Sequence, residues 1–314
     1  MTVTRAPDPA PHDDPPRYDR TVDPAEKIIA SQAWLDAAAE PLQRAIVGLY
    51  ERGGKVGQRV EDFLHGKYIG TPLHPILVTI PIGAWSVAAV LDLMELRGRK
   101  DVRAGADLAV AIGLVGGMAA IATGWTDWAR SGDSPIKRRV GFVHGSLNES
   151  AFLLYAGSYL LRGGRARATA RGLGFLAYTI SGMSAHLGGT LVYKEGLGVS
   201  HTAGQRPPDE FVPVLADADL PENVPTRVKA GEVPVLLVRQ GEHIHALAET
   251  CSHLGGPLSE GRIEGDAIRC PWHGSLFRLS DGYVLESPSA HAQPCFLTRV
   301  QGGQIEVRPG RSPD

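Results

Sequence analysis

The sequence predicts a multi-domain protein, with an N-terminal all-α four-helix transmembrane bundle followed by a C-terminal all-β domain. Four long apolar segments lie between residues 75 and 193. From Phe211 onward the pattern changes to short apolar runs interrupted by glycine, proline, aspartate and serine, which is typical of a small β domain. A chain of 314 residues is long enough for both.

The chain begins with a segment that predicts no fold. Proline and charged residues dominate residues 1–24, and large apolar side chains are almost missing there. Such a segment cannot bury enough surface to offset the entropy of ordering, so we expect a disordered tail. It has no apolar core after its basic residues, so we do not expect a secretory signal peptide. Short amphipathic helices at 25–66 then open a helical membrane domain expected to span 25–198.

The four apolar segments lie at 75–94, 104–123, 147–161 and 173–193. A membrane helix needs roughly 17–25 apolar residues. The first, second and fourth segments reach this length, and the third is shorter. Small residues at helical spacing, as in a GxxxG pair, favour close helix packing in lipid. A soluble helical bundle is the alternative. We expect a multi-pass protein in contact with lipid, in a bacterial plasma membrane.

Residues 199–210 are rich in glycine and proline and predict a linker, which leaves 211–310 for the β domain. Its most informative motif reads Cys-x-His, sixteen residues, Cys-x-x-His. Each arm supplies one thiolate and one imidazole, and a two-iron cluster needs two of each. Zinc also binds two cysteines and two histidines, but a zinc finger separates the cysteines from the histidines in different arms.

This spacing resembles the Rieske family, whose motif C-x-H-x(15–17)-C-x-x-H holds a [2Fe–2S] cluster. The resemblance covers about residues 209–310. It implies that Cys251, His253, Cys270 and His273 bind the metal, and that Ser275 donates a hydrogen bond to a cluster sulfide.

The loops are more similar to those of Rieske ferredoxins than to those of respiratory members. Gly256 and Trp272 stand where respiratory members carry a disulfide, and Phe277 stands where high-potential members carry tyrosine. Fewer donors to the cluster sulfurs lower the reduction potential, so the resemblance implies an intermediate value. The third cysteine, Cys295, is expected to be a buried thiol.

Rieske oxygenases add a large catalytic domain in which two histidines and a carboxylate hold a mononuclear iron. Only about forty residues follow His273, and His291 is the single histidine among them. We therefore expect an electron-transfer component with no catalytic residues on this chain. Whether it counts as an enzyme stays open.

Three strings in the helical part, GTPLHP, GWTDW and GGTLVYKEGLGV, resemble a bacterial membrane family, domain of unknown function 2231. That family implies an architecture and no chemistry. His74, His144 and His186 lie near helix ends, where they have three alternative roles: ligating a haem, lining a quinone pocket, or hydrogen-bonding neighbouring helices. The remaining histidines outside the motif are expected to be ordinary surface or turn residues. They are His65, His201, His243, His245 and His291.

The predicted function is a membrane-anchored carrier that relays single electrons between a reductase or quinol and an acceptor, through an exposed edge at His253 and His273. The alternatives are a redox sensor and a non-catalytic subunit of a multi-component oxygenase or respiratory complex. A redox partner protein or quinone is expected, and a net charge of −2 gives no reason to expect nucleic acid. Basic loops occur on both sides of the helices, and disulfide-free loops favour a cytoplasmic β domain.

Overall fold

The computed structural model describes residues 23–132 and 134–310. The tail predicted at residues 1–24 lies outside them, apart from its last two residues. The described N-terminal part is helical and the described C-terminal part is built from strands. The predicted order of an all-α region followed by an all-β region is thus confirmed. The helices are α1 (Pro24–Ala30), α2 (Asp36–Arg52), α3 (Gly54–Leu64), α4 (His74–Leu77), α5 (Thr79–Leu96), α6 (Arg103–Ala129), α7 (Pro135–Arg162) and α8 (Arg167–Tyr193).

The four long helices α5–α8 pack around a common apolar core. Trp85 of α5 stacks on Tyr155 of α7, with ring centroids 4.1 Å apart. The glycine spacing of α6 explains the close approach to α5, because a Cβ built at Gly113 would lie 2.1 Å from Trp85 Nε1. Val110 of α6 and Ala177 of α8 complete the core around these rings.

The connector end of the bundle is closed by buried charges. Asp92, the single charge of the first apolar segment, pairs with Arg162, whose side chain is 2% exposed; Nη1 donates to Asp92 Oδ1 over 3.0 Å. Arg167 joins Glu95 and Asp107 beside this pair. Each buried charge therefore has a partner, as a low-dielectric surrounding requires.

Helix α7 begins twelve residues before the apolar segment that predicted it. Its first turns are basic because they bind the preceding helices, with Arg138 and Arg139 on Asp36. By length and composition alone, two helical segments of the described chain could cross a bilayer, His74–Leu96 and Lys100–Ala129.

The C-terminal part folds into two antiparallel sheets. Six strands pair in the order β1-β10-β9-β4-β3-β2, and four pair in the order β5-β6-β7-β8. The larger sheet buries Val235, Leu237 and Ile305 in its own core, whereas Ile268 and Phe277 belong to a second core beside the smaller sheet. The strands are β1 (Val212–Ala216), β2 (Thr226–Ala230), β3 (Val233–Gln240), β4 (His243–Ala248), β5 (Arg262–Glu264), β6 (Ala267–Arg269), β7 (Leu276–Arg278), β8 (Val284–Glu286), β9 (Cys295–Gln301) and β10 (Gln304–Pro309).

Candidate metal centre

Two similar loops present the motif residues. The first follows β4, where the N–H of Cys251 donates to the carbonyl of Gly256 over 2.8 Å and the N–H of Gly255 donates back to Cys251 over 2.9 Å. The second lies between β6 and β7, where the N–H of Cys270 donates to the carbonyl of Ser275 over 2.9 Å. Gly255 has a φ of +81°, which favours glycine. Each turn therefore brings its cysteine and histidine to the same tip.

The four motif side chains meet as a sulfur pair and a nitrogen pair. Cys251 and Cys270 are 1% and 3% exposed, and their thiols hydrogen-bond each other. The rings of His253 and His273 lie with centroids 5.1 Å apart and nearly perpendicular, at 81°. His253 Nδ1 is buried without a hydrogen-bond partner, as expected of a nitrogen reserved for a metal. These residues therefore fit the predicted cluster.

The protonation of these groups also suits metal binding. The hydrogen bond from Cys251 lowers the pKa of Cys270 to about 7. The same bond, together with burial, raises the pKa of Cys251 well above its usual range, so the two sulfurs share one proton. Burial and the neighbouring His273 hold the pKa of His253 well below its usual value, so its imidazole is neutral. A thiolate and a neutral imidazole are the forms that bind metal.

A third segment, between β8 and β9, braces both loops. The N–H of Ser289 donates to Oγ of the fully buried Ser275 over 3.0 Å, a bond that uses a lone pair of Ser275 and not its proton. Gln293 is also fully buried; its Oε1 accepts from the N–H of Ser252 over 2.9 Å, and its Nε2 donates to the carbonyl of Thr250 over 2.6 Å. Gln293 was not predicted to have this role, because nothing in the sequence around a lone glutamine signals it.

The positions that differ from respiratory members have a packing role. A Cβ built at Gly256 would lie 3.0 Å from Cys270 Sγ and 3.0 Å from the Trp272 ring, so the loop interior is filled. Phe277 is fully buried in the core under the loops.

The expectation of an exposed histidine edge is wrong. His253 and His273 are each half-buried, and each has neighbours in the helical region. A Cβ built at Gly132, just after α6, would lie 2.7 Å from His273 Nε2. His253 borders a cavity of about 30 Å³ between the two regions. The residues that line this cavity include His65, Pro72, Asp127, His253, Ser289 and His291.

The helical side of this cavity carries a buried ionic network. His65 lies in the turn after α3, as one of its two expected alternatives had it, but it is 3% exposed and therefore not a surface residue. Its Nδ1 lies 2.7 Å from Asp127 Oδ1 and its Nε2 lies 3.9 Å from Glu61, which Arg130 also binds. Burial lowers the pKa of His65, but the hydrogen bond with Asp127 and the nearby carboxylate of Glu61 outweigh it and raise the pKa to about 9. The imidazole is therefore protonated at neutral pH.

The three histidines singled out in the helical region have protein partners. His74 Nδ1 lies 2.9 Å from the carbonyl of Ala120, and His144 Nδ1 lies 2.8 Å from that of Ser184. The exposed His186 lies 2.6 Å from Asp23 through its Nε2. These are contacts of the kind that the hydrogen-bonding alternative predicts.

Comparison with known proteins finds two families in the chain. Residues 210–297 match the family model described as Rieske [2Fe-2S] domain. Ferredoxin CarAc of Metapseudomonas resinovorans is 33% identical over 98 residues, which are 31% of this chain and 92% of the ferredoxin. The chain belongs to the Rieske family. The Rieske domain binds a [2Fe–2S] cluster and transfers electrons, as the motif predicted.

Three further matches extend the comparison, two to the Rieske part of the chain and one to its helical part. The anthranilate 1,2-dioxygenase ferredoxin subunit of Burkholderia cepacia is 31% identical over 101 residues, 32% of this chain and 94% of that protein. Apoptosis-inducing factor 3 of Mus musculus is 32% identical over 90 residues; they are 29% of this chain and only 15% of that much longer relative. Residues 70–201 match the model described as Predicted membrane protein (DUF2231). The fusion of these two families is therefore confirmed.

Proposed function

We propose that this protein is a membrane-anchored Rieske protein that relays single electrons between a reductase or quinol and an acceptor. The observation that carries this proposal is the meeting of two buried thiols and two imidazoles at adjoining loop tips of a ferredoxin-like Rieske domain. When bound, the cluster supplies a one-electron couple.

Different side chains would bind the two irons and a sulfide of that cluster. Cys251 and Cys270 would hold one iron as thiolates, and His253 and His273 would hold the other as imidazoles. The oxygen of Ser275 accepts a hydrogen bond from Ser289, which leaves its hydroxyl proton available, and Ser275 would donate that proton to a cluster sulfide. Such donors stabilise the reduced cluster and raise its potential.

The helical region anchors this domain in the membrane through four spans, α5–α8. Apolar side chains that point outward from α7 and α8 support four spans rather than two, since Leu153 of α7 is 68% and Met183 of α8 is 60% exposed. The membrane domain extends over 25–198, the linker over 199–210 and the Rieske domain over 211–310, with the Rieske domain on the cytoplasmic side. Lipid and a quinone or redox protein are its partners.

A second candidate is the ferredoxin component of a multi-component oxygenase. The likeness to the anthranilate 1,2-dioxygenase ferredoxin subunit, which extends over 94% of that protein, favours this candidate over a redox sensor. The kinetics of cluster reoxidation separate an electron carrier from a redox sensor. A relay requires that a membrane acceptor, a quinone analogue or an oxygenase reoxidises the reduced cluster, and failure with all three favours a sensor.

The ligand assignment is tested by EPR of the reduced full-length protein. Cys270→Ser should abolish the signal of a histidine-ligated [2Fe–2S] centre and leave membrane insertion intact, because the variant removes one iron ligand. Cys295→Ser is the matched control, since this half-buried cysteine lies at the start of β9, away from the loop tips, and the signal should persist. An unchanged spectrum in Cys270→Ser would contradict the assignment.

A further inference from the structure

We propose that the helical region completes the iron–sulfur centre, with Asp127, His65 and Gly132 as positioning residues that set the potential of the cluster through His253 and His273. This inference rests on the proposed ligand set. It gives the membrane domain a role in redox chemistry beyond that of an anchor.

The first support is the contact at His273. Gly132 follows α6 with a φ of +84°, and no side chain fits there because a Cβ would lie 2.7 Å from His273 Nε2. The α6 end that leads to Gly132 is held from behind by Gln43, whose Nε2 donates to the carbonyl of Trp128 over 3.1 Å. The backbone of the helical region therefore fixes the outer nitrogen side of one imidazole.

The second support is the cavity beside His253. A buried water needs roughly 10–15 Å³ and two to four polar partners, so a cavity of about 30 Å³ has room for one or two waters. Two ring nitrogens of its lining residues, His65 Nε2 and His291 Nε2, are buried without hydrogen-bond partners. An ordered water in this cavity would satisfy both nitrogens and link the two regions. No layer of bulk solvent then separates His253 from the ionic network, and charges interact strongly across such a gap.

The third support is that the two regions are joined by hydrogen bonds on both sides of the centre. The buried carboxylate of Asp62 in α3 accepts from the N–H of Ser287 over 2.9 Å. On the other side, the linker that follows the helical region makes the contact, where the N–H of His201 donates to the carbonyl of Ser252, next to His253, over 3.0 Å. The placement of the network relative to the histidines is therefore fixed.

The charges of the network give the direction of the effect. Reduction adds negative charge to the cluster, and a nearby carboxylate opposes it. Asp127→Asn removes that charge and keeps the shape; at pH 5, below the ordinary pKa of histidine, His65 stays protonated without Asp127, so the midpoint potential should rise. Gly132→Ala adds a methyl group where His273 Nε2 lies, so it should displace that ring and change the g-values of the reduced cluster.

The experiment is a redox titration of the full-length protein followed by EPR. The matched control is Asp101→Asn, because Asp101 is 62% exposed and paired with Arg99 in the connector before α6, far from the Rieske domain. We expect a higher potential for Asp127→Asn, altered g-values for Gly132→Ala, and wild-type values for the control.

The outcomes separate this inference from the proposed function. If the wild type shows no histidine-ligated signal, the ligand set is wrong. If it shows that signal, but Asp127→Asn keeps the wild-type potential and Gly132→Ala keeps the g-values, only the inference is overturned. For a variant that does not retain the cluster, hydrogen exchange of the backbone amides around Ser252 and His253 replaces the titration. Exchange as slow as in the control would overturn the inference, and faster exchange supports it.

Discussion

Asp62 joins the helical region to the Rieske domain, and Asp62→Ala should separate the two. The carboxylate is 5% exposed and binds Lys67 Nζ over 2.8 Å. It also accepts from the N–H of Ser287 over 2.9 Å and from Gln58 Nε2 over 3.0 Å. Burial raises the pKa of Asp62, but the hydrogen bonds from Lys67 and Ser287 outweigh it, so the pKa is lowered and the group is ionised.

The size of the effect follows from what the substitution leaves behind. Alanine leaves the ammonium of Lys67, which is only 9% exposed, without its counter-charge, and this costs about 3–5 kcal/mol. The N–H of Ser287 also loses its acceptor, which by itself costs about 1–3 kcal/mol, and the two costs overlap because both are relieved when the regions separate. We therefore expect the docked state to lose about 3–5 kcal/mol.

Native-state hydrogen exchange of the full-length protein measures this loss. A loss of about 3 kcal/mol increases the exchange of the Ser287 amide roughly a hundredfold, since about 1.4 kcal/mol corresponds to a factor of ten. Asp101→Ala is the control, because an exposed ion pair contributes only about 0–1 kcal/mol. An increase of less than about tenfold in Asp62→Ala would refute the reasoning.

Three other predictions concern single groups. Ser275→Ala should lower the midpoint potential, because a donor to the cluster is lost; an unshifted redox titration would mean that the hydroxyl does not reach it. Hydrogen bonds from arginines, mainly Arg269, lower the pKa of Glu264 to about 2 from 4.5. The lowered pKa means that ionised Glu264 stabilises the folded state. This stabilisation is complete above pH 4.5 and is lost as the pH falls towards 2. With the side chain 32% exposed, we expect about 1–2 kcal/mol, seen as a steeper acid loss of Tm in wild type than in Glu264→Gln. Arg162→Met should destabilise the bundle by about 3–5 kcal/mol, because Asp92 stays buried and unpaired; a Tm in detergent within a degree of wild type would contradict this.

The sequence predicted the parts of the fold that depend on local pattern. Short β-like runs gave the strands, and long apolar runs gave α5, α6 and most of α8. The sequence did not predict where α7 begins. Basic residues in its first turns, such as Arg139, bind Asp36, which is 103 positions away in the sequence. No local pattern reports such a distant partner.

The same limit applies to the candidate site. Cys251, His253, Cys270 and His273 could be assigned from spacing, because a cluster imposes fixed ligand types on two short loops. His65 and Asp127 could not, since they are separated by 62 positions and meet only when α3 packs near the end of α6. Gly132 was missed for a similar reason, because its glycine is required by a side chain of the other domain.

The half-buried histidine edge beside the helical region has a kinetic consequence. A diffusing protein partner that needs this edge cannot collide with it productively while the Rieske domain is docked on the helical region. Its rate of electron exchange should rise with partner concentration and then level off at the rate of undocking. A small diffusible reagent should show no such plateau. The membrane domain would then limit how often soluble partners withdraw electrons, whatever their abundance.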